Sequence, residues 1–239
     1  MTFQPVARTS VPDEVFAQLI RAVMDGGIPA GDSLPSERKL AEVLGVSRPA
    51  VREALQRMSQ AGLVDVRQGD GTVVRDFRRS AGLDLLPRLL LRGGTIVPSV
   101  VRDILDARLA IGPEIAALAA TRSGESLKAP LDDVIEHLAS EHDPITSQRH
   151  ALTFWDHIVD GSDSVVFRLM FNSLRAAYEP ALDVLAPIMV AEVSRADAYR
   201  VLAAAITSAD PESARQSADE LLRPATELFH VAIEQMEGP

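Results

Sequence analysis

Three polar side chains at regular intervals, Arg48, Arg52 and Gln56, share a stretch with the apolar residues Val51, Leu55 and Met58. The i, i+4 interval puts the polar set on one face of a helix and the apolar set on the other. Arginine presents a planar fork of N–H donors that fits guanine O6 and N7. The free backbone N–H groups and positive dipole end at a helix start favour phosphate. A helix that begins with two arginines on one face therefore suits the major groove of DNA. The same residues would also decorate an ordinary solvated helix, so the neighbouring elements must decide between the two readings.

Those elements lie between residues 35 and 75. Pro35-Ser36 opens a first helix with a hydroxyl cap, Leu40, Val43 and Leu44 are expected to face inward, and Gly45 stands where a left-handed cap is needed. Ser47 can cap the second helix, with Pro49 tolerated in its first turn. Gly62 to Arg67 and Thr72 to Arg75 then alternate around Gln68-Gly69-Asp70-Gly71, which predicts a hairpin small enough to enter a minor groove. Upstream, Val15, Phe16, Leu19, Ile20, Val23 and Met24 form a helical stripe that starts at Val11-Pro12-Asp13 and stops at Gly26-Gly27. This helix is expected to pack behind the other two. Cap, glycine turn, arginine pair and glycine-tipped wing occur in register, and together they predict a DNA-reading module.

Residues 11 to 79 resemble the winged helix-turn-helix of the GntR family of bacterial transcription regulators. The resemblance is carried by Gly31, Leu34-Pro35-Ser36-Glu37-Arg38, Leu40-Ala41, Leu44-Gly45-Val46-Ser47-Arg48, Val51-Arg52-Glu53-Ala54-Leu55, Gly62-Leu63 and Gly69. It implies that Arg38, Ser47, Arg48, Pro49 and Arg52 lie against DNA, with Gln68 and Gly69 at the wing tip. Two positions depart from the pattern. Pro49 has no side-chain donor, and Asp70 puts a negative charge where fatty-acid-responsive relatives carry a basic residue.

The chain has 239 residues, of which 46% are apolar, enough for two domains with separate cores. It has no Cys, so a disulfide framework and thiolate-held zinc are both excluded. No apolar run approaches the roughly 18 residues needed to span a bilayer, and no signal-peptide core is visible, so a cytoplasmic protein is expected. The net charge of −10 is unevenly divided. Residues 1–80 carry 11 basic and 10 acidic side chains, and residues 81–239 carry 13 and 24. A near-neutral reading module beside an acidic domain adheres weakly to random DNA and leaves affinity to geometry and pairing of copies.

The expected organisation is a flexible arm at 1–10, a winged helix-turn-helix at 11–76, a linker at 77–82 and an all-helical domain at 83–239. From Leu83 onward the apolar spacing is helical, without strand signals, and breaks at Gly93-Gly94, Gly124, Asp143-Pro144, Gly161 and Asp210-Pro211. The fold class is therefore mostly α, with a two-stranded β wing and a C-terminal antiparallel bundle. A ligand site in a bundle is built in its core from facing helices.

This second half resembles the effector-binding and dimerisation domain of the FadR subfamily. Phe154-x-x-x-Ile158 followed by Gly161-Ser162-Asp163 carries part of the likeness. Further matches lie at Ser80 to Leu86, at Val97-Pro98 through Ala107-Arg108, and at Leu169 to Leu174 leading to Tyr178. Many such domains hold a divalent metal through Asp-x-x-x-His and two later histidines. Here those positions fall on Ala151, Trp155, Tyr199 and Arg223, and no metal is expected. Fatty-acid-responsive members also lack the metal and bind long-chain acyl-coenzyme A, which the resemblance implies as effector. A small organic or sugar acid is the alternative.

Arg108, Asn172 and Tyr178 are the candidate effector contacts. Arg108 on a helix of small apolar residues needs an anionic partner, either a ligand or Asp103, Asp106 or Glu114 within the chain. Asn172 and Tyr178 either line a pocket or are satisfied polar groups of the core. No convergent acid, base or nucleophile set is present, so no enzyme activity is expected. The resulting expectation is a homodimeric repressor on a palindromic operator, with its DNA affinity set by a small molecule.

Overall fold

The computed structural model describes residues 10–67, 71–92 and 95–237. The chain divides into two compact units, Met1–Leu85 and Leu86–Pro239. Residues 1–9 of the expected arm at 1–10 and the wing residues Gln68, Gly69 and Asp70 lie outside the described residues.

The first unit is built on helices α1 (Val11–Met24), α2 (Glu37–Leu44) and α3 (Arg48–Gln60). Each starts at a serine, Ser10, Ser36 or Ser47, whose hydroxyl accepts the backbone N–H three residues on. This satisfies one of the donors that every helix start leaves open. α2 stops where Gly45 adopts φ +66°, a conformation that costs a residue with a Cβ about 1–2 kcal/mol. α1 buries Val15, Phe16, Leu19, Ile20 and Val23, and α3 buries Val51, Ala54, Leu55 and Met58. Arg57 ties the two helices together, donating to Asp13 at 2.6 Å and lying over the Phe16 ring.

Strands β2 (Val64–Arg67) and β3 (Gly71–Val74) form the wing hairpin, with Val64 opposite Val74 and Arg67 opposite Gly71. A third short strand, β1 (Ser33–Leu34), pairs antiparallel with β3 and anchors the wing to the segment before α2. Phe77–Ser80 forms a single helical turn, α4. Its Ser80 hydroxyl donates to Gly62 O at 2.7 Å, pinning the chain below the wing.

One inward assignment needs correction. Leu40 and Ala41 are buried on α2, whereas Val43 is 68% exposed. At 100° per residue, Leu40, Ala41 and Leu44 span one arc, and Val43 falls about 100° from its centre.

The second unit begins with α5 (Leu86–Leu90) and a two-stranded hairpin, β4 (Leu91–Arg92) with β5 (Thr95–Ile96). This corrects the expectation of helix without strand after Leu83. Two glycines between short flanks are a hairpin signal as well as a helix break; Gly93 and Gly94 lie outside the described residues, and the flanking pairs Leu91–Ile96 and Arg92–Thr95 are antiparallel. The bundle follows as α6 (Pro98–Arg122), α7 (Lys128–Ser140), α8 (Pro144–Gly161), α9 (Val165–Tyr178), α10 (Leu182–Val193), α11 (Ala196–Thr207) and α12 (Pro211–Glu237). α6 packs along α12 as the central pair. One apolar cluster, around Phe154, Ile158, Tyr199 and Leu202, joins α7, α8 and α11 to the later part of α6. The other, around Leu90, Leu105, Leu185 and Phe229, joins α5 and α10 to the earlier part of α6 and the later part of α12.

Candidate functional site

In the first unit, α2 and α3 present Arg38, Ser47, Arg48, Pro49 and Arg52 as exposed residues. Gln56, one turn beyond Arg52, is exposed as well. The arrangement follows from the buried set, because burying Val51, Leu55 and Met58 turns Arg48 and Arg52 outward on the same helix. Ser47 accepts Ala50 N–H at 3.4 Å, so its hydroxyl caps α3 while its own proton stays available to an acceptor.

The sequence reading missed the partner of Arg52. Its Nε and Nη2 donate to the two carboxylate oxygens of Glu37 at 3.1 and 2.8 Å, a bidentate link from α3 to α2. The hydrogen bond from Arg52 holds the Glu37 carboxyl below the usual glutamate range, and the charge of Arg48 adds to this. Glu37 thus carries its negative charge at neutral pH and fixes the guanidinium plane at the surface. A pre-oriented arginine loses less rotamer freedom on meeting a base edge.

In the second unit, Arg108, Glu192, Tyr199, Tyr178 and Gln148 make hydrogen bonds between helices in the core. Arg108 of α6 donates Nη2 to both oxygens of Glu192 on α10, at 2.9 and 3.0 Å. Glu192 is 1% exposed and also accepts the Tyr199 hydroxyl at 3.3 Å. Tyr178 of α9 donates to Gln148 Oε1 on α8 at 2.5 Å, and Gln148 Nε2 donates to the carbonyls of Pro144 and Leu182. Burial opposes the charge on Arg108, but Glu192, with smaller contributions from Tyr178 and Tyr199, holds its pKa above the ordinary arginine value. Burial drives both tyrosine hydroxyls well above their usual range, so each remains a neutral donor.

Arg108 and Tyr178 line one cavity, whose wall is otherwise apolar and includes Leu90, Ile104, Leu174 and Met189. Its open space is about 10 Å³, barely enough for a single water. The cavity is a narrow seam, apolar except for Tyr178 and the charge-paired Arg108.

Two expectations about this core are corrected. The partner of Arg108 is Glu192 rather than Asp103, Asp106 or Glu114; Asp103 pairs with Arg102, Glu114 with Arg215, and an Asp106 oxygen lies 2.8 Å from His230 Nε2. Asn172 is exposed on α9 and does not line the cavity. Gln148, Glu192 and Tyr199 were overlooked. The available signal was Glu192 itself, one of only two charged residues in the apolar run Leu182–Val193, which requires a buried counter-charge elsewhere.

The positions at which related domains bind a metal do not fit one here. Ala151, Trp155 and Tyr199 are buried in the apolar cluster, and Arg223 is exposed and paired with Asp219. Among the described residues, no group of three or more His, Cys, Asp or Glu is placed to hold a metal ion, and no helix is long and apolar enough to cross a membrane.

Residues 12–74 match the model for bacterial regulatory proteins of the gntR family, and residues 103–224 match the FCD domain. The chain is 57% identical over 236 residues to the HTH-type transcriptional regulator Mce2R of Mycobacterium tuberculosis (strain CDC 1551 / Oshkosh), covering 98% of both chains. It is 30% identical over 177 residues to the fatty acid metabolism regulator protein of Pasteurella multocida (strain Pm70), covering 73% of this chain and 72% of that one. A solved structure described as "Lar controls the expression of the Listeria monocytogenes agr system and mediates virulence" shares the fold. It matches with a TM-score of 0.57 at 15% identity, over 94% of this chain and 99% of that chain. With an exposed arginine pair on a capped second helix, a β wing and a helical effector-binding domain, this chain belongs to the GntR family of DNA-binding transcription regulators.

Proposed function

We propose that the protein is a cytoplasmic, homodimeric repressor whose operator is released when a long-chain acyl thioester, acyl-coenzyme A in the cell, enters the bundle core. The observation that carries the effector reading is the cavity between α5, α6, α9 and α10, apolar apart from Arg108 and Tyr178. A wall of this kind recognises a hydrocarbon chain by burial, at about 0.8 kcal/mol per methylene. The name of the Pasteurella multocida relative, fatty acid metabolism regulator protein, supports the same ligand class.

In this reading Arg52 and Arg48 of each copy enter successive major grooves, Arg38 and Ser47 hold phosphates, and Gln68 and Gly69 of the wing lie along the minor groove. Pro49 packs beside them. One module makes too few contacts for a specific site, so two copies on a palindrome are required. The ligand acts only through unequal affinity for two arrangements of the reading modules, and the narrowness of the cavity supports such a difference. Opening it to admit a chain must move the helices that line it.

An operator selected from a random duplex library, followed by hexadecanoyl-coenzyme A titration under fluorescence anisotropy, tests the reading. Release at micromolar ligand supports it. Tight binding to the selected operator that acyl-coenzyme A leaves unchanged, with release by a small organic or sugar acid, replaces the lipid with that acid.

A further inference from the structure

We propose that Glu192 sets the charge of the ligand, so that the bundle core accepts an acyl chain ending in an uncharged carbonyl and rejects the free carboxylate. The inference rests on the reading of the core as the effector site and specifies which head group that site takes.

The two terminal nitrogens of Arg108 are unequally engaged. Nη2 is engaged by Glu192 at 2.9 and 3.0 Å. Nη1 has only Met189 Sδ, at 4.0 Å, and a thioether is a weak acceptor. Arg108 lines the cavity, and its side chain is 17% exposed, against 1% for Glu192. The guanidinium therefore keeps a usable donor while its charge is already matched from the buried side.

A carbonyl oxygen of a thioester or ester can take that donor without adding charge. A carboxylate would introduce a second negative charge beside Glu192 in a site of low dielectric, where like charges repel strongly. Neither nearby tyrosine can relieve it with a positive charge, and both hydroxyls already donate within the protein, Tyr178 to Gln148 and Tyr199 to Glu192. The rest of the lining, Leu90, Ile104, Leu105 and Leu174 among it, suits the hydrocarbon. Met189, unbranched and adaptable, stands where the head group must enter the coordination of Nη1. Without Glu192, Arg108 would be an unbalanced cation at an apolar wall, and its preferred ligand would be an anion.

The test uses the full-length protein and two probes with the same chain, S-dodecanoyl-N-acetylcysteamine as the uncharged thioester and dodecanoate as the carboxylate. Both are titrated by calorimetry at neutral pH into wild type and Glu192→Gln. Wild type is expected to prefer the thioester by about tenfold or more, and the variant to shift that ratio toward dodecanoate by at least about tenfold. Comparing the ratio between proteins cancels the different solubilities of the probes.

If Glu192→Gln does not fold, the paired replacement Arg108→Met with Glu192→Met removes both charges together, a change buried pairs often tolerate. Its discrimination should then fall to within about threefold, and retained discrimination refutes the role of the pair. Equal wild-type affinity for both probes, or a Glu192→Gln ratio like that of wild type, overturns the inference and leaves the core as an effector site. Failure of both probes to bind wild type, with DNA binding intact, refutes the effector reading and the inference with it.

Discussion

Replacing Arg52 by alanine should separate DNA reading from folding, and its magnitude can be worked from the structure. The Arg52 side chain is 60% exposed, and its partner is Glu37, itself at the surface. An exposed, solvent-screened pair of this kind contributes little to stability. Alanine recovers a few tenths of a kcal/mol through its helix propensity, so the unfolding midpoint should stay within about 5 °C of wild type. On DNA the balance is different. A bidentate arginine contact to guanine discriminates by about 1–3 kcal/mol, and two copies on a palindrome double this to about 2–6 kcal/mol. Operator affinity should therefore fall by about 30-fold to 10⁴-fold, with affinity for random duplex little changed. Anisotropy with the selected operator and a scrambled duplex, at fixed salt, measures both. A variant that still prefers its operator over random DNA by the wild-type ratio would refute the assignment of α3 as the reading helix.

Three further perturbations probe the parts that support this site. Gly62 has φ +72°, and a Cβ there would collide with Ser80 O. Gly62→Ala should therefore destabilise the first unit by about 2–4 kcal/mol, seen as faster amide exchange in α1 and α3. Tyr178→Phe leaves Gln148 Oε1 without its donor in the core, and should cost about 1–3 kcal/mol in urea unfolding, with DNA affinity retained in the absence of ligand.

The third concerns acid. Asp143 accepts from the Thr146 hydroxyl and backbone N–H, and Asp210 accepts likewise from Ser213; these bonds hold both carboxyls below the ordinary aspartate range. For a depressed folded-state pKa, the stabilisation is complete above the unfolded value of about 4 and is lost as pH falls through the lowered one. Stability of the second unit should thus decline below about pH 4. Asp143→Asn with Asp210→Asn, which keeps hydrogen-bonding caps, should flatten that decline in denaturant midpoints measured from neutral to acid pH. An unchanged slope would contradict this.

What could be read from the sequence was local. Ser36 and Ser47 as caps and Gly45 as the left-handed stop depend on residues within one turn, and each takes that role in the structure. The outward face of α3 followed from its buried face in the same way. The partner of Arg108 did not, because Glu192 lies 84 residues away and only the crossing of α6 and α10 brings them together. A search along the helix of Arg108 itself offered three acids, each of which lies beside another basic side chain. Glu37 is the complementary case. Its place in the motif was visible, but its bidentate hold on Arg52 depends on how α2 crosses α3. Periodicity also misjudged short elements, Val43 on an eight-residue helix and the hairpin at Leu91–Ile96, where a few pairings outweigh propensity.

If DNA and a core ligand compete through one equilibrium, linkage requires that competition to be reciprocal. If acyl-coenzyme A weakens operator binding by some factor, the operator must weaken acyl-coenzyme A binding by the same factor. The decisive measurement is therefore the closed cycle: operator affinity with and without saturating hexadecanoyl-coenzyme A, and hexadecanoyl-coenzyme A affinity with and without saturating operator. Equal factors of about 5-fold to 150-fold are expected on both sides. Acyl-coenzyme A that binds the protein and leaves operator affinity unchanged would contradict this.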